Sequence, residues 1–419
     1  MSEFPTQRLD KFIDEGTILL GRGDIISKED IEAHPGTYPI YSSSAHNNGK
    51  FGEYGKFMFD EELITWSVDG GGNFFYRTRH KYSVTNVCGY MRLRGEKLHP
   101  KFVFYSLANQ HRFLTFDYTS KAHPSVIKKL YWLPTIAREQ QQKIAAILTS
   151  IDTAIEKTES LIAKYQKIKA GLMHDLFTRG VTADGKLRPP REQAPELYKE
   201  TAVGWIPKEW VFTTCDKVCE KIIDCKNRTP TETPDGHPVI RTPNVRNGEF
   251  IDNQLLFTDS DSYMIWTARG KPQSGDIVIT REAPVGEVCM IPKRHIAACL
   301  GQRMMLYRPN VEIINPVYFL YALQSRPIQG RLNLISGGST VGHVRVGDIR
   351  ELWAVMPESL NEQDKIASFL NAISEKISVE KQRRDKLQNQ KLGLMQDLLT
   401  GKVPVKTDID PISTGIEKP

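Results

Sequence analysis

Cys215, Cys219, Cys225 and His237 are the nearest approach in this sequence to a metal-ligand set. Structural zinc draws its ligands as two close pairs, and these four do not supply two pairs, so no metal site is assigned. The six cysteines are too few and too scattered for a disulfide framework and are read as reduced thiols. Gly70-Gly71-Gly72 and Gly337-Gly338 could cradle a phosphate, yet no Gly-x-x-x-x-Gly-Lys-Ser/Thr loop occurs, and isolated glycine clusters are more often turns. The Asn/Asp-Pro-Pro-Tyr/Phe tetrapeptide of amino-methyltransferases is absent. The ten histidines show no His-Glu-x-x-His grouping, and no Ser-His-Asp arrangement is asserted. The chain is therefore expected to be no enzyme and to bind no cofactor itself.

What positions the remaining candidate residues is set by a duplication. Lys143 to Val181 aligns without a gap on Lys365 to Val403, with 16 identities in 39 positions. Upstream, one residue of slippage pairs Leu133-Pro134 with Met356-Pro357 and Glu139-Gln140 with Glu362-Gln363. In the first copy Ile144, Leu148, Ile151, Ile155, Ile162, Tyr165 and Leu172 recur at steps of three and four, the period of an amphipathic helix. The second copy places Ile366, Leu370, Ile373, Ile377, Leu387 and Leu394 equivalently, with Glu380 and Arg384 interrupting the stripe. Neither run contains proline, and Thr-Arg-Gly-Val at Thr178 and Thr-Gly-Lys-Val at Thr400 end them. Helices of about 36 to 40 residues, roughly 55 to 60 Å, are expected. A stripe so long and narrow is most economically buried by packing the two copies on each other as an antiparallel intramolecular coiled coil. Gly180 to Glu200, rich in proline, glycine and charge, reads as the connection that lets the chain reverse.

The 419 residues are enough for two or three domains, and 40% hydrophobic with 25% charged residues is a globular composition. No apolar run reaches the roughly 18 residues of a membrane span, and Met1 to Lys11 is not a basic-then-apolar leader; a soluble, cytoplasmic protein without a membrane partner is expected. The stretches before each helix share an order of features. Lys56 to Arg94 reads as strand, Gly-rich turn, strand, strand, followed by the helix-like KFVFYSLANQ. Gly275 to Pro309, followed by VYFLYALQS, repeats it, and in each lobe a small-residue loop and a last strand then lead into the long helix. The fold class is α/β (α+β): two mixed α/β lobes, each followed by a long helix, related by a pseudo-twofold axis.

These features together resemble the specificity subunit of a type I restriction-modification system. The resemblance runs end to end. It is carried by the Leu-Pro then Glu-Gln entry, the endings GLMHDLFTRGV and GLMQDLLTGKV, the second-lobe opening GWIPKEW from Gly204, YSSSAHNNGKFGEY from Tyr41 and ITWSVDGGGNFFYR from Ile64. The first lobe departs from the pattern, beginning FPTQRLDKF without a Gly-Trp-Ile-Pro opening. The resemblance implies target recognition domains at 1–132 and 203–355, long helices at 133–179 and 356–403, a linker at 180–202 and a tail at 404–419. It implies double-stranded DNA as ligand, two methyltransferase (modification) subunits and restriction/translocase subunits as partners, and S-adenosylmethionine, ATP and Mg on those partners. The target would be asymmetric and bipartite, its spacing fixed by the helix pair. A methyltransferase-only or other phage-defence system is the near alternative, and a coiled-coil scaffold without a DNA role the remote one.

Base edges are read by Arg, Lys, Asn, Gln and Ser/Thr, and phosphates are gripped by cations, hydroxyls and amides. In the first lobe the loops rich in these types give Ser42, Ser43, Ser44, Asn47, Asn48, Lys50, Asp69, Gly70, Asn73, Arg77, Arg79, Lys81, Thr119, Ser120, Lys121 and His123 as candidates, with Trp66 read as core. In the second they give Arg241, Asn244, Arg246, Asn247, Thr280, Arg281, Gln302, Arg303, Ser336, Ser339, Thr340 and His343. A net charge of +6 tolerates a polyanion without demanding one, so enclosing partners would add cations.

Overall fold

The computed structural model describes residues 3–43, 47–69, 71–116, 121–337 and 342–405. The chain divides into two compact units, residues 1–160 with 381–419, and residues 161–380, so it passes between them inside each long helix. Among the described residues no helix is long and apolar enough to cross a membrane.

Unit 1 opens with β1 (Thr6–Arg8), α1 (Leu9–Asp14), β2 (Ile18–Arg22) and α2 (Lys28–Ala33). It continues through β3 (Tyr38–Tyr41), β4 (Lys50–Tyr54), β5 (Phe59–Ser67), β6 (Phe74–Val84) and β7 (Cys88–Leu93). Then come α3 (Pro100–His111), α4 (Pro124–Leu130), β8 (Trp132–Pro134) and α5 (Arg138–Thr178). A six-stranded sheet runs β2-β7-β5-β6-β3-β4, antiparallel except between β3 and β6. A parallel bridge from Asp24 to Thr85 joins the extensions of β2 and β6, so the sheet curls back on itself. Its core gathers Leu9, Phe12, Ile64, Trp66, Met91, Val103 and Leu107. Gly89 belongs to that packing, because a Cβ there would lie 2.3 Å from the Trp66 indole.

Unit 2 begins with β9 (Tyr198–Thr201), β10 (Gly204–Pro207), β11 (Trp210–Thr214), α6 (Cys215–Val218), β12 (Cys219–Asp224) and β13 (His237–Ile240). Next are β14 (Val245–Arg246), β15 (Glu249–Phe250), β16 (Leu256–Thr258), α7 (Ser260–Trp266), β17 (Ile277–Thr280) and β18 (Val288–Met290). It closes with β19 (Cys299–Leu300), β20 (Met304–Pro309), α8 (Pro316–Leu323), α9 (Arg326–Ile335), α10 (Val346–Arg350), β21 (Trp353–Pro357) and α11 (Leu360–Thr400). The sheet β12-β20-β17-β18 has the strand order and antiparallel sense of β2-β7-β5-β6 in unit 1. Both lobes are thus mixed α/β, built on one four-stranded plan. β1 pairs with β8 as β11 pairs with β21, so FPTQRLDKF supplies its strand without the Gly-Trp-Ile-Pro segment, which forms the β9-β10 hairpin instead.

The start of each long helix shares a core with the end of the other. In unit 1, Ile144, Ala145 and Leu148 of α5 cluster with Met395, Leu398 and Leu399 of α11 and with Phe102 and Tyr105 of α3. In unit 2, Ile366, Ala367 and Leu370 of α11 cluster with Leu176 and Phe177 of α5. The helices therefore pack antiparallel. Ile155, Ile162, Ile373 and Ile377 are buried, whereas Ile151, Tyr165, Leu172, Leu387 and Leu394 are half-buried, matching a stripe interrupted by Glu380 and Arg384. Leu148 is fully buried, so Leu148→Ala is expected to cost about 2 to 5 kcal/mol, measurable as a lower midpoint in chemical unfolding.

The duplication is repeated bond for bond. Gln141 Nε2 donates to the carbonyls of Lys97 and Ile136, and its Oε1 accepts the His99 N–H. Gln363 does the same with Ile313, Pro357 and Asn315. Tyr105 donates its hydroxyl to Asp152, and Tyr321 to Asn371 and Ser374. Lys391 stands over the Tyr105 ring and Lys169 over that of Tyr321. These pairs correct the sequence register: Gln141, not Gln140, corresponds to Gln363. The slipped residue lies between Pro134 and Gln141, in the strand-to-helix loop where an extra residue disturbs no ladder.

Candidate nucleic-acid interface

In unit 1 the candidate loops are tied together by short polar bonds. Ser42 donates its N–H to the Gly49 carbonyl at 2.8 Å, and its hydroxyl accepts from Thr85 Oγ1 at 2.9 Å. Ser67, at the end of β5, donates its hydroxyl to the Ser43 carbonyl at 3.0 Å. Trp66 is fully buried, as expected of core, and donates Nε1–H to the Ala122 carbonyl at 2.7 Å. The Ala122 N–H in turn donates to the Val68 carbonyl. Segments 42–43, 47–50, 67–69, 71–73 and 121–123 are thereby brought together beside the ends of β3 and β5. Asn47 and Asn48 adopt φ of 49° and 53° and are exposed, a conformation asparagine tolerates better than most residues. Asn73 is half-buried and its carbonyl accepts the Ser67 N–H. Lys121 pairs with Asp69 at 3.1 Å, Lys50 pairs with Glu53, and His123 caps α4.

Arg77 departs from its expected place. Its side chain is buried, with Nε donating to Thr65 Oγ1, Nη1 donating to the Asn48 carbonyl, and the guanidinium 3.6 Å from the Tyr41 ring centroid. Burial lowers its pKa from the ordinary arginine value. Arg77 braces the 47–49 turn from inside the lobe. Arg79 and Lys81 are exposed, the first 3.6 Å from Asp60 and the second over the Phe57 ring.

In unit 2 the same kind of convergence joins segments 241–248, 280–287, 302–303 and 342–344. The Gly301 N–H donates to the Ile240 carbonyl, and Asn247 N–H to Glu287 Oε2 at 2.6 Å. Arg281 exchanges backbone bonds with Arg303 and Val344. Glu282 lies between Arg303, whose Nε is 3.0 Å from Oε2, and His343, whose Nδ1 is 2.6 Å from Oε1. Gln302, Arg303, Asn247 and His343 are exposed. Asn244, Thr280 and Arg281 are instead buried: Asn244 donates to the Ile251 carbonyl, Thr280 to the Pro284 carbonyl, and Arg281 Nη1 to the Val344 carbonyl. Their side chains hold the loops, correcting their expected role at the surface. Arg241 and Arg246 are half-buried and bond the carbonyls of Gln254 and of Thr242 and Val245. Ser336 donates to the Asn333 carbonyl. Ser44, Gly70, Thr119, Ser120, Ser339 and Thr340 lie outside the described residues.

Sequence reasoning passed over Tyr41, Thr85 and Glu282, which position these loops. Asp69 and Glu282 each stand two residues past the end of the lobe's central strand, a signal invisible while the two lobes could not be aligned. Among the described residues no group of three or more His, Cys, Asp or Glu is placed to hold a metal ion. Burial pushes the thiols of Cys88, Cys219, Cys289 and Cys299 up to about 12, so they are neutral thiols near pH 7. What remains at the loops is donors, acceptors and cations on a braced backbone, suited to a polyanion with readable edges.

A family model for the type I restriction modification DNA specificity domain matches residues 16–164 and 207–389. The Type I restriction enzyme MjaVIII specificity subunit of Methanocaldococcus jannaschii is 24% identical over 385 residues, 88% of this chain and 87% of that one. A Mycoplasma pneumoniae protein named for a type I specificity subunit is 31% identical over 356 residues, 84% of this chain and 85% of that one. The crystal structure of a type I restriction-modification S subunit from M. genitalium aligns with a TM-score of 0.61 over 97% of each chain at 18% identity, a likeness of fold.

Proposed function

Since the chain belongs to the type I restriction modification DNA specificity family, we propose that it is the non-catalytic subunit through which a type I restriction-modification complex selects its DNA sequence. The observation that carries this reading is the duplicated set of helix-to-lobe bonds, Gln141 and Tyr105 in unit 1 and Gln363 and Tyr321 in unit 2, beneath two lobes whose loops differ in nearly every residue. Equivalent mounts with unlike loops suit two readers of different half-sites. The readers are the target recognition domains at 1–132 and 203–355, mounted on the helices of 133–179 and 356–403, with the linker at 180–202 and the tail at 404–419.

Exposed candidates meet the duplex: Asn47, Asn48, Arg79, Lys81, Lys121 and His123 from the first lobe, and Asn247, Gln302, Arg303 and His343 from the second. The helix pair sets the unread spacer. Two methyltransferase subunits dock on the equivalent helix surfaces, restriction/translocase subunits join them in the cytoplasm, and S-adenosylmethionine, ATP and Mg belong to those partners. Such subunits also supply the cations a net charge of +6 lacks.

Methylome sequencing of cells with and without this chain tests the reading. One asymmetric bipartite motif is expected to lose its methylation when the chain is deleted. An unchanged methylome in cells where the adjoining methyltransferase subunit is expressed sinks the reading.

A further inference from the structure

The two lobes carry the same clasp at the same topological point. Where β5 ends, Val68 donates its N–H to the Val87 carbonyl and accepts from the Ala122 N–H; where β17 ends, Arg281 does so with Arg303 and Val344. The next residue in each lobe is an acid, Asp69 or Glu282, paired with the base that immediately precedes the donating partner, Lys121 before Ala122 or His343 before Val344. In the second lobe Arg303 joins the pair. The carboxylates are recessed, 22% and 21% exposed, whereas Lys121, Arg303 and His343 are 52%, 45% and 51% exposed. An acid near a polyanion weakens binding by repulsion, so its presence in both lobes calls for a compensating role.

Resting on the function proposed above, we infer that Glu282 is a positioning residue that presents Arg303 as the reader of a guanine in the second half-site, with Asp69 holding Lys121 at the corresponding point in the first. Arg303 pairs with Glu282 through Nε at 3.0 Å, which leaves the two terminal amino groups of the guanidinium as its remaining donors. Together they are the donor fork that matches the O6 and N7 acceptors of guanine in the major groove. Arg303 also adopts φ of 74°, a backbone conformation non-glycine residues rarely take and one that clusters at functional sites. A cation held by a neighbouring carboxylate loses its freedom to swing to the nearest phosphate, exchanging sequence-independent attraction for discrimination.

The test uses this chain assembled with its methyltransferase subunit and duplexes carrying the methylated motif, each base pair substituted in turn, plus a duplex without the motif. Arg303→Gln is expected to reduce discrimination about tenfold or more at one G·C pair of the second half-site. Glu282→Gln is expected to relax that same pair by a similar factor, while tightening binding to the motif-free duplex several-fold at low salt. Glu282→Asp keeps the charge and is expected to retain most of the discrimination. Intact reading of the first half-site certifies folding in every variant. The inference is overturned if Glu282→Gln leaves discrimination unchanged, relaxes a different pair, or weakens all duplexes equally as a merely structural residue would. A wild-type complex indifferent to every substitution instead overturns the function on which the inference rests.

Discussion

Glu362→Ala is expected to destabilise the chain by about 3 to 5 kcal/mol, the cost of leaving a buried charge without its partner. Glu362 opens α11 and is enclosed with Arg188, their side chains 10% and 9% exposed. The carboxylate receives both terminal amino groups of Arg188, the Val181 N–H at 3.0 Å and the Trp210 Nε1–H at 3.2 Å. Removing it strands a guanidinium, a backbone amide and an indole N–H together. Glu209 also touches Arg188 but is largely exposed, so it offers little compensation. The crowding is tight enough to demand glycine at 180, where φ is +64° and a Cβ would meet Glu362 Oε1 at 2.3 Å. Thermal unfolding of the purified chain should show the midpoint falling by on the order of 10 °C. Replacing both partners, as in Arg188→Met with Glu362→Leu, is expected to recover much of the loss, because no unpaired charge then stays buried. A loss under 1 kcal/mol for the single variant contradicts the account. In unit 1, Gln140 occupies the position that corresponds to Glu362, so the lock belongs to the half of the duplication that carries the linker.

The long helices were legible because a 3.6-residue period sustained over 39 aligned positions leaves no competing structure, and observed helices of 41 residues agree with it. The strand, turn, strand, strand, helix order of each lobe was also legible, since β5 to α3 and β17 to α8 are strongly apolar and punctuated by glycine. Helices α4 and α10 were read as loop: with seven and five residues they are too short to display a period, although proline at the first turn of α4 favours a helix start. Which candidate side chains stay exposed was not legible. Arg77 and Arg79 stand two apart on one strand, which alternation alone places on one face. The β5-β6 register slips by one residue between the Leu63–Arg77 and Glu61–His80 pairs, and that bulge lets Arg77 turn inward while Arg79 faces solvent. Nothing in the residue types announces such a slip, because it depends on how β6 bends between two partners.

Exchanging residues 1–132 for the first lobe of another family member is expected to rewrite one half-site and leave the other unaltered. The core of the unit-1 sheet draws on residues between Leu9 and Leu133, and its strands pair only with one another among the described residues. The graft must nonetheless fit the mount. Tyr105 reaches Asp152, Phe102 and Tyr105 share a core with Met395 and Leu398, and Gln141 clamps the chain at Lys97 and His99. A donor lobe with a tyrosine and a compatible helix start at those positions keeps all three. Each mismatched base pair costs about 1 to 3 kcal/mol, roughly additively, so two or three altered pairs change preference between old and new first half-sites by about a thousandfold. The second half-site, read from β12 to α10, should vary less than about twofold, since none of its loop-bracing bonds is replaced. Methylome sequencing of cells carrying the hybrid reads both halves at once. Concerted change in both would mean that the lobes do not read independently, and the duplicated mount would then have to transmit sequence information as well as hold its readers.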